Sequence, residues 1–298
     1  MLIFHRIAEL QTYLKEARQK GLKTGFVPTM GALHKGHLSL LQQSKSNTDI
    51  SICSIFVNPT QFNDLHDFEQ YPITINTDIE LLLKCGTDLL FVPSVTEMYP
   101  NGTTPQKHYE LGLLETVLEG TYRPGHFQGV CQVMHRLLGI VQPDDLFMGQ
   151  KDYQQCMVIQ QLIRNEQINT RLHIAPTLRE QDGLAMSSRN MRLNSEERTA
   201  ATTIYKTLLQ MQTELKQGPL EQIKQAATQF LTQNGFRVDY TELAHADTLT
   251  PLNEWNGTDP VVALIAAYIG EVRLIDNLAV THEAVSLQRF PLNLPHGN

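Results

Sequence analysis

The stretch Thr24-Gly25-Phe26-Val27-Pro28-Thr29-Met30-Gly31-Ala32-Leu33-His34-Lys35-Gly36-His37 decides the fold. Its apolar first half, Thr24–Pro28, reads as a buried strand. A glycine-bearing turn follows, and a helical pattern then runs over His37–Ser46. The same alternation recurs along the chain. Asp49–Val57, Thr87–Pro93, Asp145–Met148 and Arg171–Ala175 read as strands. Asn76–Cys85, Gly129–Val141 and Tyr153–Arg164 read as helices, after an opening helix over Ile7–Lys20. Strand–helix repetition implies parallel strands joined by right-handed crossovers, hence a doubly wound, Rossmann-like α/β sheet.

From Pro176 the rhythm changes. A long helix is expected from Ser195, acting as N-cap with Glu196 and Glu197 behind it, to Gly218-Pro219. A second runs on to Asn234-Gly235, and strand-like runs follow at Arg237–Leu243, Pro260–Ile269 and Val272–Asp276. The expected organisation is a Rossmann-like domain over 1–177 and a smaller α+β domain over 178–298, with no linker between them.

The chain has 298 residues, 41% hydrophobic and 18% charged, as expected of a water-soluble globular protein. Its longest strongly apolar run, Val261–Ile269, is too short to span a bilayer, and no signal-peptide core is evident. Cys53, Cys85, Cys131 and Cys156 are scattered without a CxxC pair, which argues for core residues in a reducing cytoplasm. A net charge of −7 without a basic tract disfavours nucleic acid and favours a small-molecule substrate.

Four motifs carry chemistry. In the first, the turn from Met30 to His37 opens a helix whose unpaired N–H groups suit a nucleotide phosphate. His34 and His37 share one side of a helical turn, where two donors stabilise charge building on a phosphate as pyrophosphate departs. The alternative is that they cap the helix or sit in the core. In the second, Phe56–Phe62, Asn58 and Gln61 are neutral hydrogen-bonders at a strand end; Asn-Pro alone is a common turn. In the third, Gly149–Gln155, Lys151 offers a charge for phosphate, Asp152 an acceptor for a ribose hydroxyl or a metal-bound water, and Gln155 faces the same side; a solvated helix start is the plainer reading. The fourth, Asp182–Asn190, places Ser187, Ser188 and Arg189 on a loop able to close over a triphosphate, or equally an ordinary polar loop.

The histidine turn resembles the HxGH signature of the nucleotidyltransferases, and Met186–Arg189 resembles their KMSKS-type loop. The blocks PTMGALHKGH, FVNPTQF, RPGHFQGV, Gly149–Gln155, PTLREQDGLAMSSRN and VVALIAAYIGEVRLIDN together resemble the pantothenate synthetase family, in that family's order. The resemblance implies an ATP-dependent ligase that adenylates pantoate and passes the pantoyl group to β-alanine. It implies an ATP site of Met30, Gly31, Ala32, Leu33, His34, Lys35, Gly36, His37, Gly149, Gln150, Lys151, Asp152, Leu178, Met186, Ser187, Ser188 and Arg189. His37 is implied as proton donor, with His34 and Lys151 sharing the catalytic work; Leu178 sits where adenine meets the backbone. Gln61 and Gln155 are implied for pantoate, Gln61 also for β-alanine, and Arg123 and His126 either bind substrate or shape their loop. Magnesium is expected on the triphosphate with no protein metal ligands, and a homodimer is expected from the resemblance alone.

Three positions depart from the family pattern: Ile73 stands where Arg is usual, Gln150 where Glu is usual, and His135-Arg136 near an expected Lys. The rivals are another nucleotidyltransferase acting on a small acid or phosphate ester, a tRNA-binding module, and a catalytically silent nucleotide binder. The second and third motifs disfavour the first rival, and the acidic charge the second.

Overall fold

A computed structural model describes residues 1–62, 65–105 and 107–281. Its strands are β1 (Leu2–Phe4), β2 (Thr24–Thr29), β3 (Ile50–Ile55), β4 (Leu89–Phe91), β5 (Asp145–Gly149), β6 (Arg171–Ala175), β7 (Gly218–Pro219), β8 (Arg237–His245), β9 (Glu254–Trp255), β10 (Val261–Ile269) and β11 (Val272–Ala279). Its helices are α1 (Ile7–Gln19), α2 (Lys35–Asn47), α3 (Leu65–Glu69), α4 (Ile75–Cys85), α5 (Val95–Met98), α6 (Glu119–Tyr122), α7 (His126–Val141), α8 (Tyr153–Asn165), α9 (Ser195–Ala200), α10 (Thr203–Glu214) and α11 (Glu221–Gln233).

The first six strands form one all-parallel sheet in the order β1-β4-β3-β2-β5-β6. Alternation along the strands sends Phe26, Ile52 and Leu89 toward a core shared with α7 and α8. Val27, Cys53 and Leu90 pack instead with Leu41 of α2 and Leu82 of α4. Both faces are therefore covered, as a parallel sheet requires. Strand order reverses between β2 and β5, so the crevice beyond their carboxyl ends is where a ligand is expected. The histidine turn follows β2 and the Lys151 segment follows β5.

A second sheet, antiparallel in the order β11-β10-β8, carries α10 and α11 on one face through Leu208, Met211, Leu231, Leu243 and Ile265. On the other face Val262 and Leu264 pack with Leu118, Tyr153 and Met157 of the first unit. The apolar contact explains why no linker is needed. Residues 282–298 of the expected second unit lie outside the described residues.

Two expectations need correction. The helix expected from Ser195 is capped by Asn194, whose side chain accepts from Glu197 N at 2.9 Å while the Glu197 carboxylate accepts from Asn194 N at 3.0 Å. That helix is also broken between Ala200 and Thr203, and α10 ends at Glu214. Thr202 Oγ1 donates to Thr199 O at 2.9 Å, and such back-bonding by hydroxyls bends helices. The short β1 escaped sequence reading, and it adds an edge to the first sheet beside β4.

Cys53, Cys131 and Cys156 are buried and Cys85 partly so; all are free thiols. Burial pushes Cys53 and Cys131 up to about 12, so they are inert core residues. Among the described residues, no helix is long and apolar enough to cross a membrane.

Candidate active site

The histidine turn is held from behind by a residue the sequence did not single out. Asp78, in the first turn of α4 and 1% exposed, accepts from Ala32 N at 3.0 Å and Leu33 N at 2.8 Å. Thr74 Oγ1 donates to the same carboxylate at 3.2 Å. These bonds fix a tight left-handed turn, with φ of 83° at Gly31 and 48° at Ala32. A Cβ on Gly31 would lie 3.1 Å from Asp78 Oδ2. Only glycine combines that φ with so close a carboxylate.

His34 is the N-cap of α2, so the capping reading holds, and its ring also lines the cleft. Gly36 N donates to His34 Nδ1 at 3.2 Å and His34 N donates to His37 Nδ1 at 3.4 Å. The rings stand 4.0 Å apart between centroids. With each Nδ1 accepting, the tautomer that satisfies the cap carries its proton on Nε2. Burial, then Lys151, lowers His34 to about 4; burial, then His34 and Lys151, holds His37 well below the ordinary histidine value. Two neutral N–H donors therefore sit at the positive end of α2.

Across the crevice, Asn58, 1% exposed, builds the turn that presents Gln61. Its Nδ2 donates to Gly129 O and to Gln61 Oε1, each at 3.3 Å, and its Oδ1 accepts from Tyr99 OH at 2.8 Å. Gln61 Nε2 donates to Met30 Sδ at 2.8 Å. His126, at the start of α7, donates from Nδ1 to Gln61 O at 2.7 Å and accepts from Arg123 Nη1 at 3.1 Å. Burial, then Arg123, lowers His126 to about 3, which keeps it neutral and able to do both.

Beyond β5, Lys151 Nζ lies 3.5 Å from Asp152 Oδ1. Asn277 of β11, which closes the VVALIAAYIGEVRLIDN block but was not singled out in it, donates from Nδ2 to the carbonyls of Gln150 and Lys151 at 3.0 and 2.8 Å. The side chain of Gln150, one of the departures named above, donates to Asn277 Oδ1 at 3.3 Å. Gln155 faces the cleft, whereas its neighbour Gln154 is buried, accepting from Glu119 N and donating to the carbonyls of Leu114 and Val117. Of the other departures, Ile73 is 80% exposed and His135 pairs with Tyr109 OH at 3.1 Å.

The serine loop returns over the histidine turn. Met186 N donates to Leu178 O at 3.0 Å, and Arg179 anchors the strap to Asp276 at 2.6 and 3.1 Å. Ser188 Oγ donates to Ala32 O at 3.0 Å. Arg189 and Arg192 each reach Asp67 at 2.8 Å. Burial works to raise the Asp67 carboxyl, but the two guanidinium groups hold it below its ordinary value.

Every expected site residue except Gly31, Ala32, Leu33, Lys35 and Gln150 lines this one cleft. Gly31, Ala32 and Leu33 form the buried back of the turn, Lys35 is exposed to solvent, and Gln150 is turned toward Asn277. Among the described residues, no group of three or more His, Cys, Asp or Glu is placed to hold a metal ion.

The family model described as "Pantoate-beta-alanine ligase" matches residues 2–279. The pantothenate synthetase of Bacteroides fragilis is 43% identical over 279 residues, 93% of this chain and 98% of that one. That of a Marinomonas species is 47% identical over 283 residues, 94% and 99% of the two chains. Among solved structures, the Thermus thermophilus pantothenate synthetase superposes with a TM-score of 0.87 at 40% identity, covering 94% of this chain and 99% of that one. A Francisella tularensis pantoate–β-alanine ligase, complexed with β,γ-ATP and β-alanine, gives 0.80 at 38% identity, covering 94% and 98%. The two units, the histidine turn and the serine loop thus lie within one matched span, and the chain belongs to the pantoate–β-alanine ligase (pantothenate synthetase) family.

Proposed function

We propose that this chain condenses pantoate with β-alanine at the expense of ATP, releasing AMP and pyrophosphate through a pantoyl adenylate. The observation that carries the reading is one cleft holding two neutral histidines at a helix N-terminus, a lysine and a serine–arginine loop, opposite Gln61 and Gln155. The first set suits a triphosphate and the second a small hydroxy acid.

A carboxylate acylates poorly because oxide would have to leave. Attack by a pantoate carboxylate oxygen on the α-phosphorus forms a P–O bond and breaks the bond to pyrophosphate. The β-alanine nitrogen then attacks the acyl carbon, AMP departs with the bonding electrons, and the amine loses its proton. Neither step asks for a protein nucleophile, so positioning and charge stabilisation dominate. In this reading His34 and His37 donate Nε2–H to phosphate oxygens, and Lys151 and Arg189 neutralise the departing charge. Ser187 and Ser188 follow the triphosphate, Asp152 takes the ribose, and the Leu178 backbone meets adenine. Gln61 and Gln155 hold pantoate, with Gln61 also near the amine.

Magnesium fits as a passenger of the triphosphate, coordinated by phosphate oxygens and water, because the carboxylates at hand are engaged by lysine or arginine. We place the domain division at 177/178, so that the second unit bears the serine loop as a lid, and we assign a homodimer working in the cytoplasm. The direct test uses pantoate labelled with ¹⁸O in its carboxylate. Transfer of one label to AMP supports the adenylate; label retained wholly in pantothenate and unreacted acid rejects it.

A further inference from the structure

Among the described residues, the carboxylate nearest to Arg123, a guanidinium facing the cleft, is already committed elsewhere. The Arg123 side chain is 17% exposed and stands 3.8 Å from Glu119 Oε2. Both Glu119 oxygens, however, are taken at shorter range: Arg273 grips them at 2.7 and 2.8 Å, and Tyr240 OH donates to Oε1 at 2.9 Å. Arg273 is further tied to Asp239 at 2.7 Å. Asp67, the other nearby carboxylate, is occupied by Arg189 and Arg192. What Arg123 gains at hydrogen-bond distance is the neutral Nε2 of His126, at 3.1 Å. Burial, partly offset by Glu119, lowers Arg123 to about 10, the direction expected of a cation short of counter-charge.

Its place in the cleft is equally specific. Arg123 is joined through His126 to the carbonyl of Gln61, not to the nucleotide end formed by His34, His37 and Lys151. It also lines a second cavity, which runs beneath the serine loop toward Arg237 and shares Lys151, Asp152 and Arg189 with the main cleft. That cavity carries both signs of charge, including Asp67, Glu271 and Asp276 beside its arginines. Mixed charge offers a zwitterion a partner for each of its ends. A planar guanidinium with free forks matches a carboxylate in two parallel hydrogen bonds.

We propose that Arg123 binds the carboxylate of the amine substrate, a small ω-amino acid, and that the second cavity is that substrate's way in. The assignment rests on the pantoate–β-alanine reading. It also explains the geometry: with its carboxylate held at Arg123, the amine end is directed along the Gln61 side, where the acyl carbon is expected.

The test compares β-alanine with its amide, which keeps the amine and loses the anion, in wild type, Arg123→Met and Arg123→Lys. Wild type prefers β-alanine, and in Arg123→Met that preference in kcat/KM collapses by on the order of 100-fold, the usual loss when one partner of a buried charge pair is removed. The loss appears in the KM for β-alanine, turnover of the amide persists, and Arg123→Lys keeps part of the preference. Equal losses with both amines, or a loss confined to the KM for pantoate, would make Arg123 a support of the Gln61 turn and overturn the proposal. Wild type that adenylates no pantoate fails the underlying reading instead, and the carboxylate assignment falls with it.

Discussion

Replacing Gly129 by Ala tests whether the Gln61 turn is placed by backbone contact. A Cβ there would lie 1.9 Å from Thr60 O, 2.5 Å from Thr60 C and 2.8 Å from Gln61 Cα. All three are backbone atoms, so no side chain can swing aside. Ordinary contact begins near 3.4 Å, so α7 and the turn must separate by about 1.5 Å at the closest pair. Overpacking of this kind costs about 1–3 kcal/mol of stability. The larger consequence is local, because the displaced turn carries Gln61, and a misplacement of about 1 Å can cost on the order of 100-fold in rate. Pantoate-dependent pyrophosphate exchange should therefore lose about two decades in kcat/KM for pantoate, while the KM for ATP changes less than about threefold. Thermal unfolding runs alongside to confirm that the variant folds. A folded variant with unchanged pantoate kinetics, or with ATP and pantoate affected alike, would refute the reasoning.

Other consequences follow from the same contacts. Asp78→Asn keeps the volume but exchanges one acceptor oxygen for a donor facing the Ala32 and Leu33 N–H groups; stability falls by about 1–3 kcal/mol and exchange by more than about tenfold, read by urea unfolding and initial rates. Asp67→Asn frees Arg189 from its strongest competitor, so the KM for ATP should fall several-fold; a rise would mean that Asp67 positions the arginine and does not restrain it. His34 and His126 have folded-state values lowered to about 4 and about 3, below the ordinary histidine value near 6.5. The unfolded chain thus binds more protons between those limits, so stability is full above about pH 6.5 and declines as pH falls toward 4. A urea midpoint that is flat or rising as the pH is lowered from about 6.5 to about 4.5 would contradict the burial of these rings.

Much of the site was legible because its chemistry and its backbone geometry are written in the same few residues. Gly31 and Gly36 announce a turn between strand and helix, and His34 and His37 fall on it by position alone. The Lys151 and Ser187–Arg189 segments likewise follow elements whose apolar patterns are plain. The residues that hold these segments were silent because they act across the fold. Asp78 reads as an ordinary acidic residue in a first helical turn, and Asn277 as one polar position in a buried strand. Asp67 gains meaning only when α3 and the serine loop converge, and Arg123 and His126, named from the sequence with two roles open, acquire their contacts only when α7 packs beside the Gln61 turn. The parallel sheet was readable from alternation, but the break at Ala201-Thr202 depends on hydroxyl back-bonds that the helical pattern conceals. Asn194 was passed over for Ser195, since both cap well and only the Glu197 contact decides between them.

The central claim is that neutral histidines on the turn after β2 stabilise transfer of an adenylyl group to pantoate. It is tested most directly by pantoate-dependent exchange of labelled pyrophosphate into ATP, with magnesium present and β-alanine absent, in wild type and His37→Gln. The account predicts exchange that requires pantoate and falls by on the order of 100-fold or more in the variant. Exchange driven by a different acid, or undiminished in folded His37→Gln, would contradict it.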